Sequence, residues 1–295
     1  MRLSVMACFL LCSPALACDK PVYSYLGFTG PNGEPSHVWR EKLNQQVGFD
    51  ECRFLFHGAL FPEHPDGGYD NSGPIDATKL IRRLAEIPKG RTVILNLENG
   101  GYENGYWNMV DSQGMEPNPV GIEHRADLLR FVRKESPWCR FGFYAQIPHP
   151  GDKGLCGNHR HVELHRRWLL AWKPVADEAD FLVPQVYTES DWSEEFTKRY
   201  IAASIVACRD YYPRKKVYPI VWMCHYDLIR KAAAENDYSQ ERFTSTVVPY
   251  WKTLLETAYS LGDGVVLWGG HGFPWTEGQW WQDTKTLIQT HGRHQ

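Results

Sequence analysis

The feature that most constrains this chain is a sevenfold recurrence, in which short apolar runs alternate with segments of helical periodicity from one end to the other. The apolar runs are Val22 to Phe28, Cys52 to His57, Thr92 to Glu98, Phe141 to Gln146, Phe181 to Glu189, Val217 to Tyr226 and Gly264 to Trp268. Helix-period segments lie at Ser36 to Gln46, Ile75 to Ile87, Ile122 to Lys134, His161 to Trp172, Ser193 to Tyr211, Gln240 to Leu261 and Gln279 to His291. Strands joined through helices pair in parallel, and a chain of 295 residues absorbs such a series in one closed sheet. The sequence therefore predicts an α/β fold, a single β/α (TIM-like) barrel of seven or eight parallel strands over residues 18–295. Boundary signals agree. Ser193 followed by Glu194 and Glu195 supplies a cap and acids for a helix start, Leu261-Gly262 ends a helix, and Pro213 closes another before Val217.

Residues 1–17 carry Arg2, an apolar run from Val5 to Leu11 and the small-residue ending Ala15-Leu16-Ala17, the pattern of a secretory signal peptide too short to span a bilayer. The expected location is secreted or periplasmic, with acylation of Cys18 as the alternative. Beyond residue 17 the cysteines are Cys18, Cys52, Cys139, Cys156, Cys208 and Cys224, an even number that favours disulfides in an oxidising compartment. Cys139 and Cys156, flanking the fourth strand and its loop, are the expected pair. The formal charge of −3, or −4 without Arg2, implies no basic patch for nucleic acid, and no later segment predicts a membrane span. Twelve tryptophans and 15 tyrosines are the compositional excess; most belong in a core, but near strand ends they suit flat sugar faces. Oligomeric state is not legible.

Chemistry concentrates at Thr92-Val93-Ile94-Leu95-Asn96-Leu97-Glu98 and the glycine-aromatic stretch that follows, through Trp107. Side chains alternate along a strand, so Asn96 and Glu98 share a face at its C-terminal end, which in a β/α barrel is the catalytic end. The same pair in a solvated strand end would be ordinary hydrogen-bonding residues. In a barrel lumen, a carboxyl is costly to bury and points to a glycosidase acid. Gln185, Tyr187 and Glu189 alternate on the fifth strand, making Glu189 either a surface acid or the partner carboxylate of Glu98; Asp191 and Asp263 are weaker candidates. Trp222, His225 and Tyr226 end the sixth strand, and His271 follows the seventh; either histidine is a sugar contact or a structural donor. His161 and His165 stand one helical turn apart without a third ligand, so neither metal nor cofactor is expected.

Five segments in order resemble the hyaluronidase family of glycoside hydrolases (family 56): Phe54 to Pro62, Val93 to Trp107, Val183 to Tyr187, Tyr218 to Trp222 and Leu261 to Gly269. The resemblance implies a secreted, disulfide-bearing barrel that cleaves β-linked N-acetylhexosaminides. In that family an Asp-x-Glu on the third strand supplies the general acid and the group that positions the substrate's own acetamido oxygen as nucleophile. Glu98 matches the acid, while Asn96 stands in place of the Asp and the family's Trp-Arg-Pro is replaced around Gly100-Gly101-Tyr102. Asn-x-Glu is similar to the pair used by endo-β-N-acetylglucosaminidases of another barrel family. Tyr187 matches a fifth-strand tyrosine and Trp268 a tryptophan walling the sugar site. The resulting expectation is an endo-acting β-N-acetylhexosaminidase using substrate-assisted retaining hydrolysis. Its catalytic set is Glu98, Asn96 and Tyr187, and its glycan contacts are Trp268, Trp222, Trp107, Glu189 and His225. The alternative is a catalytically retired barrel acting as a secreted glycan-binding protein.

Overall fold

The computed structural model describes residues 20–63, 73–97, 107, 117–144 and 159–291, with side chains excluded at 159–162. Along the chain, β1 (Val22–Leu26), α1 (Ser36–Val47), β2 (Cys52–Leu55), the one-turn α2 (His57–Leu60), α3 (Ala77–Ala85) and β3 (Thr92–Leu95) come first. Then follow α4 (Pro119–Glu135), β4 (Arg140–Phe143), α5 (His159–Ala171), α6 (Lys173–Glu178), β5 (Phe181–Leu182) and α7 (Glu194–Tyr211). The remainder is β6 (Lys216–Val217), β7 (Ile220–Trp222), α8 (Tyr226–Glu235), α9 (Gln240–Thr246), α10 (Trp251–Leu261), β8 (Val265–Gly269) and α11 (Gln279–His291).

Local chemistry explains the boundaries. Asp76, Asn118, Ser193 and Ser239 each accept a main-chain N–H from the first turn of the helix they precede, and Pro119 opens α4 where no intrahelical donor is needed. Gly48, at φ 80°, ends α1 in the left-handed region, donating its N–H to Asn44 O. Two expected elements are broken. The run Val217 to Tyr226 divides at Pro219, which has no N–H to donate, into β6 and β7, and its last residues start α8 instead. The long helix expected over Gln240 to Leu261 divides at Pro249 into α9 and α10.

Every ladder is parallel. The sheets run β1-β8-β7, β2-β3-β4 and β5-β6, so among the described residues the strands form three short sheets rather than the single closed one the sequence predicts. The strands are short because hydrogen bonding is interrupted at the junctions, yet single parallel bridges persist there, Tyr23 with Asp50, Tyr144 with Val183 and Gln185 with Ile220. β3 and β8 are buried along their whole length, as expected when helices cover a parallel sheet. That cover includes α7 against α10, α10 against α11 and α4 against α6. No described helix is long and apolar enough to cross a membrane.

Three aspartates, each at or just before the start of a strand, hold the junctions by the same reciprocal pair of bonds. Asp50 donates its N–H to Val22 O and accepts the Val22 N–H on its carboxylate at 3.0 Å. Asp180 does the same with Phe141 and Asp263 with Val217, at 2.8 and 2.9 Å on the carboxylates. Each thus satisfies an amide within the first two residues of a strand, near the end of the sheet.

The expected pairing of Cys139 with Cys156 is not formed. Cys139 is a free, buried thiol whose Sγ approaches Pro88 O at 3.8 Å, and Cys156 lies outside the described residues. Cys52 and Cys224 are also free thiols. The even count misled because buried cysteine packs as a small apolar side chain.

Replacing Asp180 with alanine should remove a charge-assisted bond and cost about 2 kcal/mol of unfolding free energy in urea, whereas Asp180→Asn, which keeps an acceptor, should cost under about 1 kcal/mol. Its exposed ion pair with Arg133, at 3.7 Å, adds little. Equal losses in the two variants would show that the reciprocal bond is not what matters.

Candidate active site

The C-terminal ends of the strands bring together a continuous group of aromatic and polar side chains. Trp268 on β8 is its centre. Register sets Tyr25 of β1 and Trp222 of β7 beside it, and Tyr25 stacks on its indole at 5.1 Å. The indole also meets Phe54 of β2 at 5.1 Å and Tyr144, just past β4, at 5.2 Å. Neither β2 nor β4 pairs with β8, so the ring reaches across the interior between strands and forms a floor beneath the strand ends. At 6% exposure Trp268 is a base for the site rather than an open wall.

Asn96 sits one residue past β3, buried at 1% exposure, with its N–H donated to Leu55 O at 2.8 Å. Because Leu95 is in register with Phe143, Asn96 and Tyr144 are the next residues along two paired strands. The Tyr144 and Tyr187 hydroxyls share a hydrogen bond of 2.6 Å. Tyr187 packs in turn against Trp222 at 5.2 Å and Tyr226 at 5.7 Å. Trp222 approaches the main chain so closely that a Cβ on Gly269, at φ 133°, would collide with its indole Nε1. Asn96, Tyr187, Trp222 and Trp268 are therefore brought to one end of the fold, while Glu98 lies outside the described residues.

The other expected residues go elsewhere. Trp107 is buried, gives its indole N–H to Gly73 O at 2.8 Å and packs on Phe61 and His124. Its main-chain carbonyl accepts from the buried Arg125, so in the described contacts it anchors a loop. His225 precedes α8, with Nδ1 3.5 Å from Thr188 Oγ1 and its ring against Tyr250. Burial, opposed by Asp227 and the Glu189 main chain, holds its pKa below the ordinary value. Glu189 is half-buried on the same loop, its carbonyl accepting the Trp192 N–H at 3.0 Å. Asp227 fastens that loop to α8 by accepting both the amide and the hydroxyl of Ser190. Burial works against the Asp227 charge, but the Ser190 bonds outweigh it and its pKa is lowered. The described residues contain no group of three side chains able to hold a metal.

Tyr144 is the member of this group that sequence reading did not single out. It stands two residues before the end of the fourth apolar run, as Asn96 does in the third, so the alternation that singled out Asn96 applied to it equally. Arg40, on α1, is a second omission: its guanidinium lies 4.1 Å from the Tyr25 ring centre and sets a positive charge at the edge of the aromatic group. A helix residue in a different segment from the strands gives no sequence sign of that position.

No protein-family model matches the chain, and no curated protein matches it. Solved structures do. Bee venom hyaluronidase in complex with a hyaluronic acid tetramer aligns at TM-score 0.53 and 12% identity, over 92% of this chain and 97% of that one. The monoclinic form of the same enzyme aligns at 0.53 and 13% identity, over 92% and 98%. The chain shares the fold of a hyaluronidase. At these identities the likeness is one of architecture, a glycoside-hydrolase type of β/α fold, and the site must be argued from its own residues.

His271 offers a direct check on the packing above the floor. The residue as a whole is exposed, but its ring lies against Trp268 at 4.8 Å and Tyr25 at 5.6 Å and fills the space over Gly27. Burial of the ring, helped by Arg40, lowers its pKa from 6.5 to about 4. The unfolded chain takes up this proton near 6.5 and the folded one near 4, so the stability this residue contributes is complete above the ordinary value and falls as pH drops towards 4. Ring-nitrogen NMR should give a titration midpoint well below 6.5; a midpoint at that value would mean a solvated ring.

Proposed function

We propose that the chain is a secreted glycoside hydrolase, an endo-acting β-N-acetylhexosaminidase that uses substrate-assisted, retaining hydrolysis. The observation that carries this reading is the placement of Asn96 in register beside Tyr144, whose hydroxyl pairs with that of Tyr187 over the Trp268 floor, in a chain with the fold of a hyaluronidase. The three sheets and the bridges between them are read as arcs of one barrel wall, whose C-terminal end is where such enzymes act. Residues 1–17 serve as the export signal.

In this mechanism Glu98, two residues beyond Asn96 and so on the same face by strand alternation, protonates the leaving glycosidic oxygen. The acetamido oxygen attacks the anomeric carbon as that bond breaks, giving a cyclic oxazolinium and the free leaving chain. Water then opens the ring, giving a proton to Glu98 and restoring the acetamide with retained configuration. Asn96 and Tyr187 hold the acetamido group, and Tyr144 fixes the Tyr187 phenol through their shared hydrogen bond. Trp268 supports the sugar site from beneath, Trp222 packs at its side, and Arg40 favours polymers carrying negative groups nearby.

Glu98→Gln removes the transferable proton and should lower turnover by about 100-fold or more while glycan binding persists. Asn96→Ala should slow turnover strongly, and Asn96→Asp should retain much of it, because a carboxylate also stabilises the positive charge that develops. Product analysis on hyaluronan, chondroitin, chitin oligomers and N-glycans checks this. Cleavage of a de-N-acetylated substrate at the normal rate, with Glu189→Gln inactive, would replace the assisted mechanism by a carboxylate pair. Binding without turnover in the unaltered protein would instead identify a retired barrel.

Tyr144→Phe breaks the hydroxyl pair without removing a ring. Turnover should fall about tenfold, with glycan affinity changed little. Unchanged turnover would place the pair outside the chemistry.

A further inference from the structure

At the opposite end of the strands from Asn96, Tyr23, Thr92, Arg140, Lys216 and Tyr218 surround a cavity of about 170 Å³. Tyr23 OH and Thr92 Oγ1 share a hydrogen bond of 3.1 Å, and Arg140 Nη2 donates to both, at 3.2 and 2.8 Å. Neutral hydroxyls thus hold this guanidinium in place, and its charge is not balanced. Arg140 has five N–H donors, only one nitrogen is engaged, and no described carboxylate lies within ion-pair distance. Lys216 likewise has no carboxylate partner among the described residues.

The remaining lining groups cancel these charges only in part. Glu51 is paired with Arg91, which also lines the cavity and whose buried Nε has no acceptor among the described residues. Asp50 accepts the Val22 amide on one carboxylate oxygen. Three cations therefore face two carboxylates, and the lining holds one positive charge in excess. Burial, reinforced by Tyr23, pushes the Tyr218 pKa up to about 12, so that phenol adds no negative charge at neutral pH. A neighbouring cavity of about 400 Å³ makes the contrast: there Arg130 is bonded to Glu123, Asp127 and Glu178, and Arg133 to Glu178 and Asp180. Both of its arginines are ion-paired, whereas in the smaller cavity Arg140 meets only neutral hydroxyls.

We propose that the smaller cavity binds a tetrahedral oxyanion of the sulfate or phosphate type, held by Arg140 with Lys216 and Arg91 around it. Planar guanidinium donors match the paired oxygens of such an ion, and the fixed hydroxyls remove the ordering cost that a free surface arginine would meet. The volume accommodates the ion with a few waters, each occupying about 30 Å³. The site is independent of the glycosidase reading, since it lies at the other end of the strands and shares no residue with it.

Isothermal titration of the full chain with sodium sulfate or phosphate, against sodium chloride at matched ionic strength, tests it. Saturable one-to-one binding is expected, weakened about tenfold or more by Arg140→Gln and about fivefold by Lys216→Gln, with Arg133→Gln in the neighbouring cavity unchanged. Lys216 is exposed, so its variant keeps the test decisive should Arg140→Gln fail to fold. Phenyl phosphate in a parallel arm distinguishes a solitary ion from a group carried on a larger molecule; tighter binding of either supports the site. Absence of saturable binding beyond the chloride control, or equal binding by the Lys216 variant and the unaltered protein, overturns it.

Discussion

The reciprocal bonds of Asp50, Asp180 and Asp263 are the constraint on which the strand arrangement rests. Short parallel strands leave the amides of their first two residues near the end of the sheet, and two of these aspartates act where the continuous ladders stop, between β1 and β2 and between β4 and β5. By joining strands through a side chain as well as the main chain, they let ladders as short as two residues hold position. The opposite ends are then free to carry side chains chosen for chemistry, because register has already been fixed below.

What those ends carry is layered. Trp268 closes the interior from beneath, and above it Asn96, Tyr144 and Tyr187 form a polar tier whose phenols orient one another. An apolar floor keeps water from solvating the tier from below, which strengthens the hydrogen bonds that its hydroxyls make. The loop after the fifth strand joins this tier through Tyr187 and is held to α8 by Asp227. Groups that touch substrate in the proposed reaction are thus backed by groups that do not.

Much of this was legible because parallel strands and helices leave strong periodic signals. Apolar runs located nearly every strand, and alternation put Asn96 at a strand end. Pro219 and Pro249 are where the reading overran, since apolar character continues through both while the missing N–H breaks the element. Tyr187, Trp222 and Trp268 gather at one end of the fold, and Trp107 gives its indole N–H to Gly73 O. Spacing along the chain carries nothing about such partners. Arg40 and the hydroxyl cradle of Arg140 depend on approach between distant segments, which periodicity does not encode.

The buried cysteines have a consequence for how the shell breathes. Cys139 lies just ahead of β4, Cys208 on α7 and Cys224 just past β7. Burial pushes the thiol pKa of Cys224 up to about 12 and raises those of Cys139 and Cys208, so none offers a reactive thiolate while its surroundings stay closed. Each becomes modifiable only when its own part of the wall opens. These three thiols are native clocks, and the rate at which a small alkylating reagent claims each one measures how often that sector of the fold comes apart.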